Sequence, residues 1–132
     1  MKKHGILNSE VTKVLTDLGH TDQITIGDAG LPVPNGVKKI DLALKFGLPS
    51  FQEVLQTVLS DMAIEKVFLA EEIKSQNSSQ LQAILKALPN EVEIIYFSHE
   101  EFKIQTQTSK AIIRSGEVTP FSNIILQSAV IF

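Results

Sequence analysis

Three side chains stand where proton chemistry would put them. His20 lies in the run Leu18-Gly19-His20-Thr21-Asp22, and Asp28 lies in Gly27-Asp28-Ala29-Gly30-Leu31-Pro32-Val33-Pro34. His99 lies in Ser98-His99-Glu100-Glu101. An imidazole, with a reference pKa of about 6.5, gives and takes a proton around neutral pH. A carboxylate offers two acceptor oxygens that suit paired hydroxyls such as those of a sugar. The glycines beside Asp28 and His20 let the backbone come close to a small ligand.

Each residue also has an ordinary explanation. A histidine just past a helix is favoured by the negative end of the helix dipole, a contribution of about 0.3–1 kcal/mol. An aspartate beside glycine commonly bonds the backbone of its own turn. His99 sits inside a capping box and can be a plain first-turn residue. Ser9 and Ser98 fall at helix caps, which accounts for both without a nucleophile.

The elements that must position these residues are legible from periodicity. Asn8 or Ser9 caps a helix with apolar residues Val11, Val14, Leu15 and Leu18, and Gly19 is its expected stop. His20 is then the first functional side chain beyond that helix. Ile24 and Ile26 alternate in a strand running into Asp28, and Ile40, Leu42 and Leu44 alternate in a second. Ser50 and Glu53 open a helix as a capping box, followed by the apolar strand Lys66 to Ala70. Leu81, Ile84, Leu85 and Leu88 mark another helix, and Val92 to Phe97 a strand that ends at His99. The last third predicts a strand over Ala111 to Arg114 and a final one over Ile124 to Ile131, their close spacing suggesting an antiparallel pair.

This alternation predicts an α/β fold, a three-layer α/β/α sandwich with a mixed, largely parallel sheet. Ligands of such sheets gather outside the carboxyl ends of the strands, where Asp28 and His99 are expected. His20 and Asp28, on element ends, are read as two groups that one sheet presents along one rim.

Bulk properties narrow the function. The 132 residues suit a single domain spanning 1–132, without repeats or low-complexity linkers. A net charge of −3 with no basic cluster speaks against nucleic acid or an anionic membrane as partner. Cysteine is absent, which excludes disulfides and thiolate metal sites and fits a cytoplasmic location. The basic start is broken at Asn8, Ser9 and Glu10, so it is not expected to be a signal peptide, and no apolar run is long enough to span a membrane. The glycine run lacks the spacing and the lysine of a phosphate-binding loop, so no nucleotide cofactor is expected. His4, His20, His99 and Asp28 could gather around a metal, but their spacing carries no specific signal and none is expected. The apolar share of 43% is high for an acidic chain, and either a rich core or burial between subunits accounts for it.

Four separated motifs carry a family resemblance: H-G-I-L-N at 4–8, L-G-H-T-D at 18–22, G-D-A-G-L-P-V-P at 27–34 and T-P-F-S-N-x-I-L at 119–126. Together they resemble the D-ribose pyranase family, related to the fucose mutarotases, along the whole chain. The resemblance implies an isomerase that interconverts the pyranose and furanose forms of D-ribose without cofactor or metal, supplying ribofuranose to ribokinase. It implies His20 as the catalytic acid–base residue. Asp28, His99, Phe121, Ser122 and Asn123 are implied to bind the substrate. Phe121 departs from the pattern, since the family commonly has tyrosine there; stacking on the sugar survives, but a phenolic hydroxyl does not.

The resemblance further implies a ring-shaped homo-oligomer, a decamer, in which the C-terminal segment of one subunit completes the neighbour's site. Phe121 and Asn123 are on that view expected from a neighbouring chain. Two other readings share the scaffold: a non-catalytic sugar-binding or transport-accessory protein, and a mutarotase of another monosaccharide such as fucose.

Overall fold

The computed structural model describes residues 1–132. Its centre is one six-stranded sheet, built from β1 (Gln23–Gly27), β2 (Lys38–Asp41), β3 (Ile64–Ala70), β4 (Glu93–Phe97), β5 (Ala111–Arg114) and β6 (Ile124–Ser128). The strand order is β2-β5-β1-β6-β3-β4. Pairs β2–β5, β1–β5 and β3–β4 are parallel, and β6 runs antiparallel between β1 and β3. Five strands therefore point one way, as the mixed, largely parallel expectation requires.

Alternation along the strands sorts residues into two layers of core. Ile24, Ile26, Val67, Leu69, Ile113, Ile124 and Leu126 face the larger cluster. It is covered by α1 (Ser9–Asp17), α2 (Phe51–Leu59), α3 (Ile73–Gln76) and α4 (Ser78–Ala87). Phe68, Ile112 and Ile125 face the other way, onto Leu31 and onto Phe102 of α5 (His99–Gln105). Helices thus lie on both faces, and an Ile-to-Ala change at fully buried Ile24 or Ile113 would cost about 2–5 kcal/mol.

Local chemistry explains the element ends. Asn8 caps α1 by accepting from Val11 N, and Ser50 with Glu53 forms a complete capping box on α2. At α5 only half the box forms: Ser98 Oγ accepts from Glu101 N, while His99 N donates to both carboxylate oxygens of Glu72 at 2.9 and 3.1 Å.

Four sequence expectations change. The α1 helix stops before Gly19, with Leu18 already extended, and the left-handed residue of the turn is Thr21 at φ 70°. The second strand ends at Asp41, because Asp41 Oδ1 accepts from Ala43 N and turns the chain, leaving Leu44 exposed. The last strand ends at Ser128, and Ile131 and Phe132 are exposed. The last two strands do not pair: β1 lies between them, since β5 joins β1 in parallel while β6 inserts antiparallel on its other edge.

Candidate active site

Asp28 follows β1 directly, at the carboxyl edge of the sheet. Its oxygens are already placed: Oδ1 accepts from Gly30 N at 2.9 Å and Oδ2 from Asn123 Nδ2 at 3.1 Å. Asn123, which precedes β6, returns the contact by accepting from Asp28 N at 2.8 Å. The ordinary turn role of Asp28 is therefore real, but each oxygen keeps a lone pair for a ligand. Burial pushes the Asp28 carboxyl above its usual value of 3.8, opposed by the bonds from Gly30 and Asn123 and by the charge of His99. Gly27 lets the neighbours close in here, since a Cβ would meet Leu31 Cδ2 at 2.7 Å and Asn123 Oδ1 at 3.2 Å.

His99 follows β4 on the same carboxyl edge, as expected. Phe121 stands edge-on to its ring, centroids 5.1 Å apart at 83°, and Phe102 stacks on it at 6.4 Å. His99 Nδ1 is buried and has no partner in the protein. A buried polar atom left unpaired is unusual and suits a position that a ligand hydroxyl completes. Phe121 holds φ 56°, a left-handed conformation rare outside glycine, of the kind found where a site over-determines the backbone.

The segment 119–123 is held within its own chain. Asn77 Nδ2 lies 3.1 Å from Thr119 Oγ1, 2.8 Å from the Pro120 carbonyl and 3.3 Å from Ser122 Oγ, donating to this cluster. Gln80 Nε2 donates to Ser122 Oγ at 3.0 Å, and Glu117 accepts from Thr119 Oγ1 at 2.9 Å and from Phe51 N at 3.1 Å. One expectation is corrected. Phe121 and Asn123 meet His99 and Asp28 of the same chain, so these four residues form one cluster without a neighbour. Ser122 is fully buried, with its hydroxyl taken up by Gln80, Asn77 and Thr119. Glu72, Asn77, Gln80 and Glu117 were not singled out by the sequence, because their roles depend on contacts 27 to 66 residues away.

His20 is elsewhere. It precedes β1, where Thr21 N donates to the carbonyl of Ser128 at the far end of β6. Its Nε2 lies 2.9 Å from Oε2 of Glu65, at the start of β3. His20 and Asp28 are thus on opposite edges of the sheet, separated by at least the five residues of β1, or about 17 Å. The one-rim expectation fails because both residues flank the same strand at opposite ends. The depression beside Asp28, about 340 Å³ and lined by Ala29, Gly30, Glu117 and Thr119, is open and contains no proton-transfer base other than carboxylates.

Comparison with known proteins places this geometry in context. The family model described as the RbsD / FucU transport protein family matches residues 1–131. A D-ribose pyranase of Lactococcus lactis is 61% identical over 98% of each chain, and one of Bacillus subtilis is 58% identical over 100% of each. The structure of Bacillus subtilis RbsD complexed with D-ribose superposes with a TM-score of 0.97 over 100% of both chains at 56% identity. The fucose mutarotase of Streptococcus pneumoniae in complex with L-fucose shares the fold at a TM-score of 0.77, covering 99% of this chain and 100% of that one, at 23% identity. With a full-length family match and relatives near 60% identity, the chain belongs to the RbsD / FucU transport protein family.

Proposed function

We propose that this protein is a D-ribose pyranase, an isomerase that interconverts the pyranose and furanose forms of D-ribose. The observation that carries the reading is the full-length match to a ribose-bound relative, combined here with a carboxyl-edge cluster that leaves Asp28 lone pairs and His99 Nδ1 free for hydroxyls. The chemistry needs only proton traffic. A base takes the proton of the anomeric hydroxyl, the bond from C1 to the ring oxygen breaks, and that oxygen takes up a proton to give the open-chain aldehyde. Addition of a different hydroxyl to C1 closes the other ring. A positioned acid–base group contributes about 10²–10⁴-fold to such a step.

The roles divide by position. Asp28 accepts sugar hydroxyls, His99 Nδ1 partners another, and the Phe121 ring, which lacks a tyrosine's hydroxyl, offers an apolar face. Asn123 is buried and uses its amide to fix Asp28. His20 moves the proton, and it comes from a second copy of the chain, because one protomer separates His20 from Asp28 by far more than a pentose spans. A ring-shaped homo-oligomer with shared sites, a decamer by kinship, supports that supply. The exposed side chains of Leu44, Phe46, Ile131 and Phe132 offer apolar surface for such contacts. No helix is long and apolar enough to cross a membrane. The proposed place of action is the cytoplasm, where the furanose is supplied to a kinase.

NMR with ribose at ring-form equilibrium tests the activity. Saturation transfer between pyranose and furanose anomeric signals is expected to accelerate on adding protein and to lose that acceleration in His20→Ala. Binding without faster exchange would point instead to a sugar-binding protein, and faster exchange of fucose than of ribose to a different substrate.

A further inference from the structure

His20 is held by a chain of four other side chains. Gln105 Nε2 donates to Gln23 Oε1 at 2.9 Å, Gln23 Nε2 to Gln127 Oε1 at 2.9 Å, and Gln127 Nε2 to Glu65 Oε1 at 2.8 Å. The remaining carboxylate oxygen, Glu65 Oε2, faces His20 Nε2 at 2.9 Å. Each amide passes its N–H in one direction, so both oxygens of Glu65 are acceptors. Gln127, the residue that fixes the carboxylate, is buried.

We propose that Glu65 is the positioning residue of His20, fixing its imidazole with the hydrogen on Nε2 and leaving Nδ1 as the atom that exchanges protons with substrate. An ionised carboxylate is acceptor-only, so the nitrogen facing it must carry hydrogen. The hydrogen bonds from Gln127 and His20 hold the Glu65 carboxyl below its ordinary value, which keeps it ionised near neutral pH. The partner of one ring nitrogen thereby sets the state of the other. A base oriented by a third group is the general pattern of proton-transfer sites. Glu65 itself does not touch the sugar; it acts through the ring it holds.

Glutamine cannot substitute at position 65 alone. With its oxygen accepting from Gln127, its amide donates to His20 Nε2 and selects the Nδ1–H tautomer, the reverse of the one the carboxylate fixes. Exchanging the two residues, Glu65→Gln with Gln127→Glu, restores every bond. The carboxylate then at position 127 accepts from Gln23 and from the amide at position 65, whose oxygen accepts from His20 Nε2.

The inference rests on the reading of His20 as the acid–base group, and two kinds of measurement separate them. The ¹⁵N shifts of the neutral His20 ring in the unliganded protein report the tautomer without reference to any substrate. Wild type is expected to show the Nε2–H form alone and Glu65→Ala a mixture; an Nδ1–H form or a mixture in wild type overturns the proposal. In ribose exchange, Glu65→Ala and Glu65→Gln are expected to lower kcat at least tenfold, less than the whole acid–base contribution of about 10²–10⁴. KM stays within about twofold, and the double exchange recovers most of kcat. Wild-type kcat in Glu65→Ala, or an effect confined to KM, overturns the positioning role. Full activity in His20→Ala would overturn the acid–base reading while leaving the tautomer result standing.

Discussion

Asp28 is a structural residue and, in the proposed reading, a binding one, and its ionisation links the two. Burial raises its carboxyl above 3.8, while Gly30, Asn123 and the charge of His99 pull it back. The ionised form is the one that accepts hydroxyls, so ribose binding weakens as pH falls through this raised value, earlier on acidification than for an exposed aspartate. Calorimetric dissociation constants measured from neutral pH downward should show that loss in wild type. Replacing Asp28 by Asn removes a charged acceptor worth about 1.5–3 kcal/mol, hence roughly 10–150-fold in affinity. A wild-type affinity that is flat down to the ordinary aspartate range would contradict this role. At Phe121 the positive φ of 56° and the edge-on contact with His99 act together, since the left-handed backbone belongs to the turn that presents the ring.

The elements that carry these residues were legible to different degrees. Local signals worked: the Ser50–Glu53 capping box, the Asn8 cap and the strand-to-helix junction at His99 are all set by residues within one turn. Boundaries set by side chains failed, as at Asp41, whose carboxylate turns the chain before Leu44. Pairing failed where partners are far apart in sequence. The close spacing of β5 and β6 suggested a hairpin, but the 124–128 stretch is buried on both faces and fits between β1 and β3. The same limit hid Asn77, at the start of α4, which holds the turn 119–122 across 42 residues. Asn77→Ala should cost about 1–2 kcal/mol in urea unfolding, as its acceptors lose their donor, and raise KM for ribose more than it lowers kcat. A variant with unchanged stability and KM would show that Glu117 and Gln80 alone suffice to hold the turn.

At the scale of the whole molecule, one strand decides the architecture of the site. Sequence motifs brought His20 and Asp28 together because they are close in the chain; β1 runs between them and carries them to opposite edges. The segment expected from a neighbour packs on Asp28 and His99 of its own chain, and the histidine expected to be local is, in the proposed reading, the one that a second copy brings. Mixing two inactive variants, His20→Ala and Asp28→Ala, within one oligomer tests this most directly. If sites are shared, random assembly of equal amounts gives about a quarter of sites an intact His20 from one chain and an intact Asp28 from the next, and ribose exchange returns to about that fraction of wild type. Mixed oligomers that remain as inactive as either parent would contradict the account and confine the site to a single chain.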